Sequence, residues 1–135
     1  MSYKLIDIEG IGETYACKLA NIGLTTPENY LEAASTASGR KKIAEDTGIS
    51  STLILKWANH CDLIRINGIG PQYAEMLEVA GVDTVKELRR RVPQNLQAKL
   101  AEVNAEKNIA NRVPSVSEVE KWVAEAKELA CVMAY

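Results

Sequence analysis

Phenylalanine is missing from this chain of 135 residues, and histidine occurs once, at His60. Sustained β-branched alternation is also missing, so no segment reads as a half-buried strand and every element reads as a helix. No window approaches the roughly 18 apolar residues of a membrane helix. Lys4 is not followed by an apolar block with a small-residue cleavage site, so no secretory leader is expected. Cys17, Cys61 and Cys131 have no paired or metal-type spacing. Each falls in a helical pattern and reads as a reduced, buried thiol, which points to the cytoplasm. His60 has no cysteine or carboxylate at ligand spacing, and Asp62 is too near it in sequence for an i, i+4 pair. These gaps exclude a readable metal centre or catalytic set, and the chain is expected to be no enzyme and to use no cofactor.

An excess of charge of one sign is likewise absent. Sixteen Lys and Arg stand against eighteen Asp and Glu, for a net charge of −2. Split after Ile66, the first part has seven basic and eight acidic residues, the rest nine and ten. Neither part has the global basicity of a protein that coats nucleic acid.

What the chain does have is a repeat. Shifted by 58 positions, Leu5–Thr26 matches Leu63–Thr84 at 11 of 22 positions, among them Ile8/Ile66, Gly10/Gly68, Ile11/Ile69, Gly12/Gly70, Tyr15/Tyr73 and Leu19/Leu77. Chance would give about one or two, so the sequence reads as an internal duplication. Further on, Ile43-Ala44-Glu45 pairs with Leu100-Ala101-Glu102 at a shift of 57, and Lys56-Trp57 with Lys121-Trp122 at 65. The second copy therefore carries about eight extra residues, placed at 104–112. The copies are expected as residues 1–62 and 63–135. No Gly-, Ser- or Pro-rich joint divides them, so rigid packing is expected.

Each copy reads as five helices. In the first, a short apolar helix at 4–8 leads into a turn at 9–12. A helix then runs to about Asn21, with Gly23 as its left-handed cap. Thr26-Pro27-Glu28 reads as N-cap, first-position proline and first-turn acid. Another turn or two at 40–46 ends at Gly48. A long helix capped by Ser50 or Ser51 carries Leu53, Ile54, Trp57, Cys61 and Ile64 on one side. In the second copy, Pro71 opens the helix after the turn, and Thr84 and Glu87 have capping-box spacing. Pro93 starts a short helix. Ser115 starts the last one, whose apolar side holds Val119, Trp122, Val123, Ala126, Leu129 and Ala130. Trp57 and Trp122 read as core anchors, with Tyr15 and Tyr73 packed beneath the turns.

The turn Ile-x-Gly-Ile-Gly-x-x-Tyr-Ala-x-x-Leu places outward backbone N–H groups at a helix start. Two readings stand: a phosphate cradle, or a tight turn that serves the fold alone. In the first copy, Glu9 and Glu13 flank Gly10 and Gly12 and repel anions, with Lys18 one to two turns away. In the second, Arg65 and Asn67 precede Gly68, Ile69 and Gly70, which makes this copy the better anion site, although Pro71 removes one donor. Arg40, Lys41 and Lys42, and likewise Arg89, Arg90 and Arg91, could add a basic patch or simply face solvent. Gly12 and Gly68 are expected to resist substitution by valine, on the ground of positive φ. "AEDTGISSTLILKW" has helix-turn-helix spacing, with Ser50, Ser51, Thr52 and Lys56 on the reading face, yet ordinary packing around a glycine cap explains it equally. "GIGETYACK" lacks the Gly-Lys-Ser/Thr ending of a phosphate loop.

Ile8–Leu19 and Ile66–Leu77 resemble the helix-hairpin-helix signature. Over most of its length, and closely in "GISSTLILKWANHCDLIRINGIGPQYAEMLEVAGVDTVKEL" and "LAEVNAEKNIANRVPSVSEVEKWVAEAKEL", the chain is similar to a bacterial family known as domain of unknown function 4332. The resemblance implies an all-α fold of two tandem five-helix SAM-like helix-hairpin-helix repeats packed together, related to the RNA polymerase α-subunit tail. It brings no established activity. The expected partners are either a DNA or RNA backbone, held weakly and without sequence preference, or a protein partner or a second copy of the chain. No membrane and no small-molecule substrate is expected.

Overall fold

The computed structural model describes residues 3–135. Its described residues form helices and no strand. They divide into two compact units: unit 1 is the chain up to Asp62 together with Val132–Tyr135, and unit 2 is Leu63–Cys131.

Unit 1 begins with a 3-10 turn, Leu5–Asp7, shorter than the helix expected at 4–8. It continues with α1 (Glu13–Ala20), α2 (Pro27–Ala34), α3 (Ala37–Thr47) and most of α4 (Ser51–Ile64). The caps explain the boundaries. Thr26 accepts from the Asn29 N–H, and the Asn29 side chain accepts from the Thr26 N–H in return, while Pro27 fills the first helical position. Gly23 and Gly48 lie at φ 84° and 74°, where a side chain would be strained. The buried stripe of α4 is Ile54, Trp57, Ala58 and Cys61; Leu53 and Ile64 are only half-buried. Tyr30 on α2 is fully buried and donates to the Ile54 carbonyl at 2.7 Å, and burial pushes its phenol well above the ordinary tyrosine range.

Unit 2 contains the end of α4, then α5 (Pro71–Val79), the single-turn α6 (Val85–Leu88), α7 (Pro93–Lys107) and α8 (Val116–Glu128). The helix opened by Pro93 is not short: it runs 15 residues to a left-handed Asn108 at φ 51°. The extra residues of this copy thus divide between added helix and the following loop. Asn104 fastens that loop, donating to the Ala110 carbonyl and accepting from its N–H. Leu63, Ile66, Ile69, Leu77, Leu100, Val119 and Trp122 belong to one buried cluster. Leu129 and Ala130 lie beyond α8, and Ala130 is exposed.

Cys61 alone fits the expected buried thiol, and burial pushes its pKa up. Cys17 and Cys131 are exposed, and Cys131 lies in coil after α8, because the apolar stripe of that helix stops at Ala126.

The start of α8 is tied down by charge. Ser115 and Glu118 form a capping box, and Arg112 grips Glu118 through two bonds of 2.6 and 2.9 Å. Hydrogen bonding from Arg112, helped by the Ser115 N–H, lowers the Glu118 carboxyl from 4.5 to about 2. Its folded pKa lies below the unfolded value, so this stabilisation is full above 4.5 and is lost as pH falls from there toward 2. Thermal melts of the parent and Glu118→Gln should therefore differ most near neutral pH and converge across that acid window. A gap that stays constant with pH would contradict the assignment.

The glycines also rank themselves. Gly10 and Gly68 have φ 91° and 93°, but Gly12 has φ −88°, an extended conformation open to any residue. The expectation for Gly12 is thereby corrected: positive φ falls on the first glycine of each turn, not the second. A Cβ at Gly68 would lie 3.0 Å from Trp122 Nε1 and one at Gly10 3.4 Å from Trp57 Nε1, whereas one at Gly12 meets nothing within 4 Å. Chemical denaturation should show Gly68→Ala losing about 2 kcal/mol or more, Gly10→Ala somewhat less, and Gly12→Ala, which loses only the N-cap preference for glycine over alanine, about 0.5–1 kcal/mol.

Candidate functional site: the two glycine turns

Both turns are built alike. Ile11 N–H donates to the Ile8 carbonyl at 3.0 Å, and Ile69 N–H to the Ile66 carbonyl at 3.1 Å. The isoleucines are buried on either side and hold the turn to the core. Gly12 and Gly70 then act as the N-caps of α1 and α5. Neither has a side chain with which to cap, so first-turn N–H groups are left without a side-chain acceptor. Pro71 removes one of these in α5.

Behind each turn stands a tryptophan from the long helix that closes the unit. Trp57 and Trp122 are 0% and 2% exposed. Each presents its Nε1 edge to the turn's first glycine. The buried Trp57 N–H has no hydrogen-bond partner, which is the penalty accepted for this approach. Tyr15 packs on Trp57 at 5.1 Å between ring centroids with a 58° tilt, and Tyr73 on Trp122 at 5.4 Å with 53°. The Tyr73 hydroxyl donates to the Arg112 carbonyl. The tyrosines are thus half-buried supports of the turns.

The second turn already holds an anion. Glu125, one turn beyond Trp122 on α8, accepts from the Asn67 N–H through Oε1 at 3.1 Å. Sequence reasoning missed this residue. The available signal was register: once Trp122 covers Gly68, the side chain three positions on stands on the same helix face. Asn67 and Gly68 are exposed, Gly70 is half-buried, and Ile69 is buried and offers only backbone. Arg65 is half-buried, and its guanidinium donates to the Ala130 carbonyl at 2.8 Å.

The basic triplets do not form uniform patches. Arg40 is 8% exposed and turns inward to the Ala34 and Ala134 carbonyls at 2.9 and 2.8 Å, so it leaves the surface triplet. Lys41 and Lys42 stay exposed, and Lys42 pairs with Asp46 at 3.3 Å. Arg89 donates to Cys131 Sγ, and Arg91 to the Gly81 carbonyl and to Glu87. Arg90 is exposed and, with Arg91, Asn95 and Lys99, lines a shallow recess of about 260 Å³. Lys18 is exposed on the last turn of α1. Glu9 and Glu13 are exposed beside the first turn. Ser51 and Thr52 line an open groove of about 580 Å³ between α3 and α4, with Ala37, Ala44, Lys41 and Leu55.

The family model described as Domain of unknown function (DUF4332) matches residues 9–129. The chain belongs to this family. No curated protein and no solved structure matches it. The DUF4332 match spans both glycine turns, both tryptophans and Glu125. Among the described residues of this DUF4332 chain, no helix is long and apolar enough to cross a membrane.

Glu125 tests what the second turn can accept. In an amide NMR titration of the parent with inorganic phosphate, the Asn67 signal should stay in place. In Glu125→Ala it should shift saturably, because the donor is released. Identical behaviour in the two chains would show that Glu125 does not decide access.

Proposed function

We propose that this chain is a non-enzymatic binding module of helix-hairpin-helix type whose partner is a protein surface, a second copy of the chain included. The observation that carries the reading is the Glu125 carboxylate on the Asn67 N–H, which sets a negative charge beside the second turn, where a phosphate would have to approach. The diversion of Arg40, Arg65, Arg89 and Arg91 to acceptors within the fold supports it as well. So does the exposed acid pair beside the first turn, since carboxylates there repel a polyanion. The groove between α3 and α4, with its small apolar lining, offers a protein partner more than it offers a phosphate chain.

A second reading, weak and sequence-independent contact with a DNA or RNA backbone, draws on a different observation. The recess beside α7 gathers Arg90, Arg91 and Lys99, and no acid lines it. Arg91 there is paired with Glu87 and Lys99 with Glu102 at 3.7 Å, so a phosphate held as a point charge would rely chiefly on Arg90. The free thiols of Cys17, Cys61 and Cys131 support a reducing compartment, the cytoplasm, under either reading.

Fluorescence anisotropy with duplex and single-stranded DNA separates the two. At about 20 mM salt, where phosphate contacts are strongest, no saturable binding is expected. Saturable binding that falls steeply with salt would replace the first reading by the second. Light scattering and crosslinking address the protein partner: a strict monomer that crosslinks to nothing would remove the first reading.

A further inference from the structure

Val132–Tyr135 follow unit 2 in sequence yet belong to unit 1. These residues are non-helical, and the Ala134 N–H, the Ala134 carbonyl and the Tyr135 hydroxyl are each bonded within unit 1. The Ala134 N–H donates to the Ser35 carbonyl at 2.7 Å. The Ala134 carbonyl accepts from Arg40 Nη2 at 2.8 Å, while Arg40 Nη1 holds the Ala34 carbonyl. The Tyr135 ring lies under the Arg40 guanidinium, 5.6 Å from Cζ to centroid. Its hydroxyl donates to Asn59 Oδ1 at 3.0 Å.

The recess exists for a physical reason. Ala34 and Ser35 end α2, and their carbonyls have no partner within that helix. Arg40 and Asn59 are 8% and 7% exposed, so each must find partners inside the protein. A backbone N–H, a backbone carbonyl, a ring and a hydroxyl from one dipeptide meet these needs together. That is how extended peptides are recognised: main-chain bonds supply affinity and side chains supply specificity.

The occupant is held lightly. Tyr135 is 70% exposed and Val132 38%, so little apolar surface is buried with the polar contacts. Covalent attachment supplies a high effective concentration, which lets a weak segment stay in place without strong intrinsic affinity.

We propose that the Arg40–Asn59 recess of unit 1 is a receptor for an extended peptide carrying a small residue followed by tyrosine, and that residues 132–135 are its resident, displaceable occupant. The proposal goes beyond the interaction reading above and does not need it, since the site has its own ligand in the same chain.

The test uses a fluorescein-labelled Val-Met-Ala-Tyr peptide, the parent chain, and the full-length variant Ala134→Pro. Proline removes the tail's N–H and should vacate the recess without touching its walls. The peptide should bind Ala134→Pro about five- to tenfold more tightly than the parent, the order expected for one hydrogen bond lost by the competitor. Replacing the peptide's alanine by N-methylalanine, or its tyrosine by phenylalanine, should each weaken binding several-fold. The phenylalanine effect should vanish when Asn59→Ala is added. Equal binding to parent and Ala134→Pro would overturn the proposal. So would indifference to both peptide changes, an outcome that leaves the folded state of the protein out of question and leaves the interaction reading standing.

Discussion

A glycine at positive φ, pressed against the edge of a buried tryptophan, is the constraint on which each unit depends. Positive φ disfavours any side chain at Gly10 and Gly68, and at Gly68 a Cβ would also crowd the Trp122 indole at 3.0 Å. The contact fixes two things at once. It sets where the turn sits on the closing helix, and it starts α1 or α5 at the following glycine. The same indole also packs against the tyrosine that follows the turn. Helices of eight and nine residues would be marginal alone. Here the flanking isoleucines and the tryptophan hold them against a core.

The arginines obey a second constraint, the orphan carbonyls that every helix leaves at its C-terminal end. Arg40 serves the end of α2 at Ala34, while Arg91 and Arg65 bond the carbonyls of Gly81 and Ala130, two residues past α5 and α8. Arginine suits the role because its guanidinium remains charged and carries several donors on a long arm. Cations also meet the negative end of the helix dipole favourably. The clusters that look like phosphate-binding patches in sequence are in large part this structural provision. Arg90 and Lys99 remain exposed beside one recess, and they are what a polyanion would meet.

The helices, most caps and the tryptophan anchors are legible in the sequence, because they depend on residues at fixed short spacings. Thr26 with Pro27, Ser115 with Glu118, and glycine after an apolar stripe each announce a boundary locally. Which glycine of the turn takes positive φ was not legible, since Gly10 and Gly12 look alike until the tryptophan 45 or more residues later is brought against one of them. The direction of Arg40 was hidden for the same reason: its acceptors are the end of α2 and a residue 94 positions away. Glu125 was half-visible, through its register with Trp122. The length of α7 was misjudged because proline marks a start and says nothing about an end; the end comes only at the left-handed Asn108.

The two units differ most where each must cover the same place, and the difference explains the extra residues. The register that pairs Ile43 with Leu100 also pairs Arg40 with Gln97. Gln97 donates to the Pro114 carbonyl, in the loop that the second copy has and the first lacks. Arg40 donates to the Ala134 carbonyl, in the segment that follows unit 2 in the chain. At equivalent positions a polar side chain thus reaches for a carbonyl on a covering strand of backbone. Unit 2 draws that strand from its own inserted loop, fastened by Asn104. Unit 1 has only Gly48, Ile49 and Ser50 between α3 and α4, too few to reach back over α2. It draws its cover from the far end of the chain instead. The cover of unit 2 is thus part of its own loop, whereas that of unit 1 is a segment that follows unit 2 in sequence, and this asymmetry sets unit 1 apart from its copy.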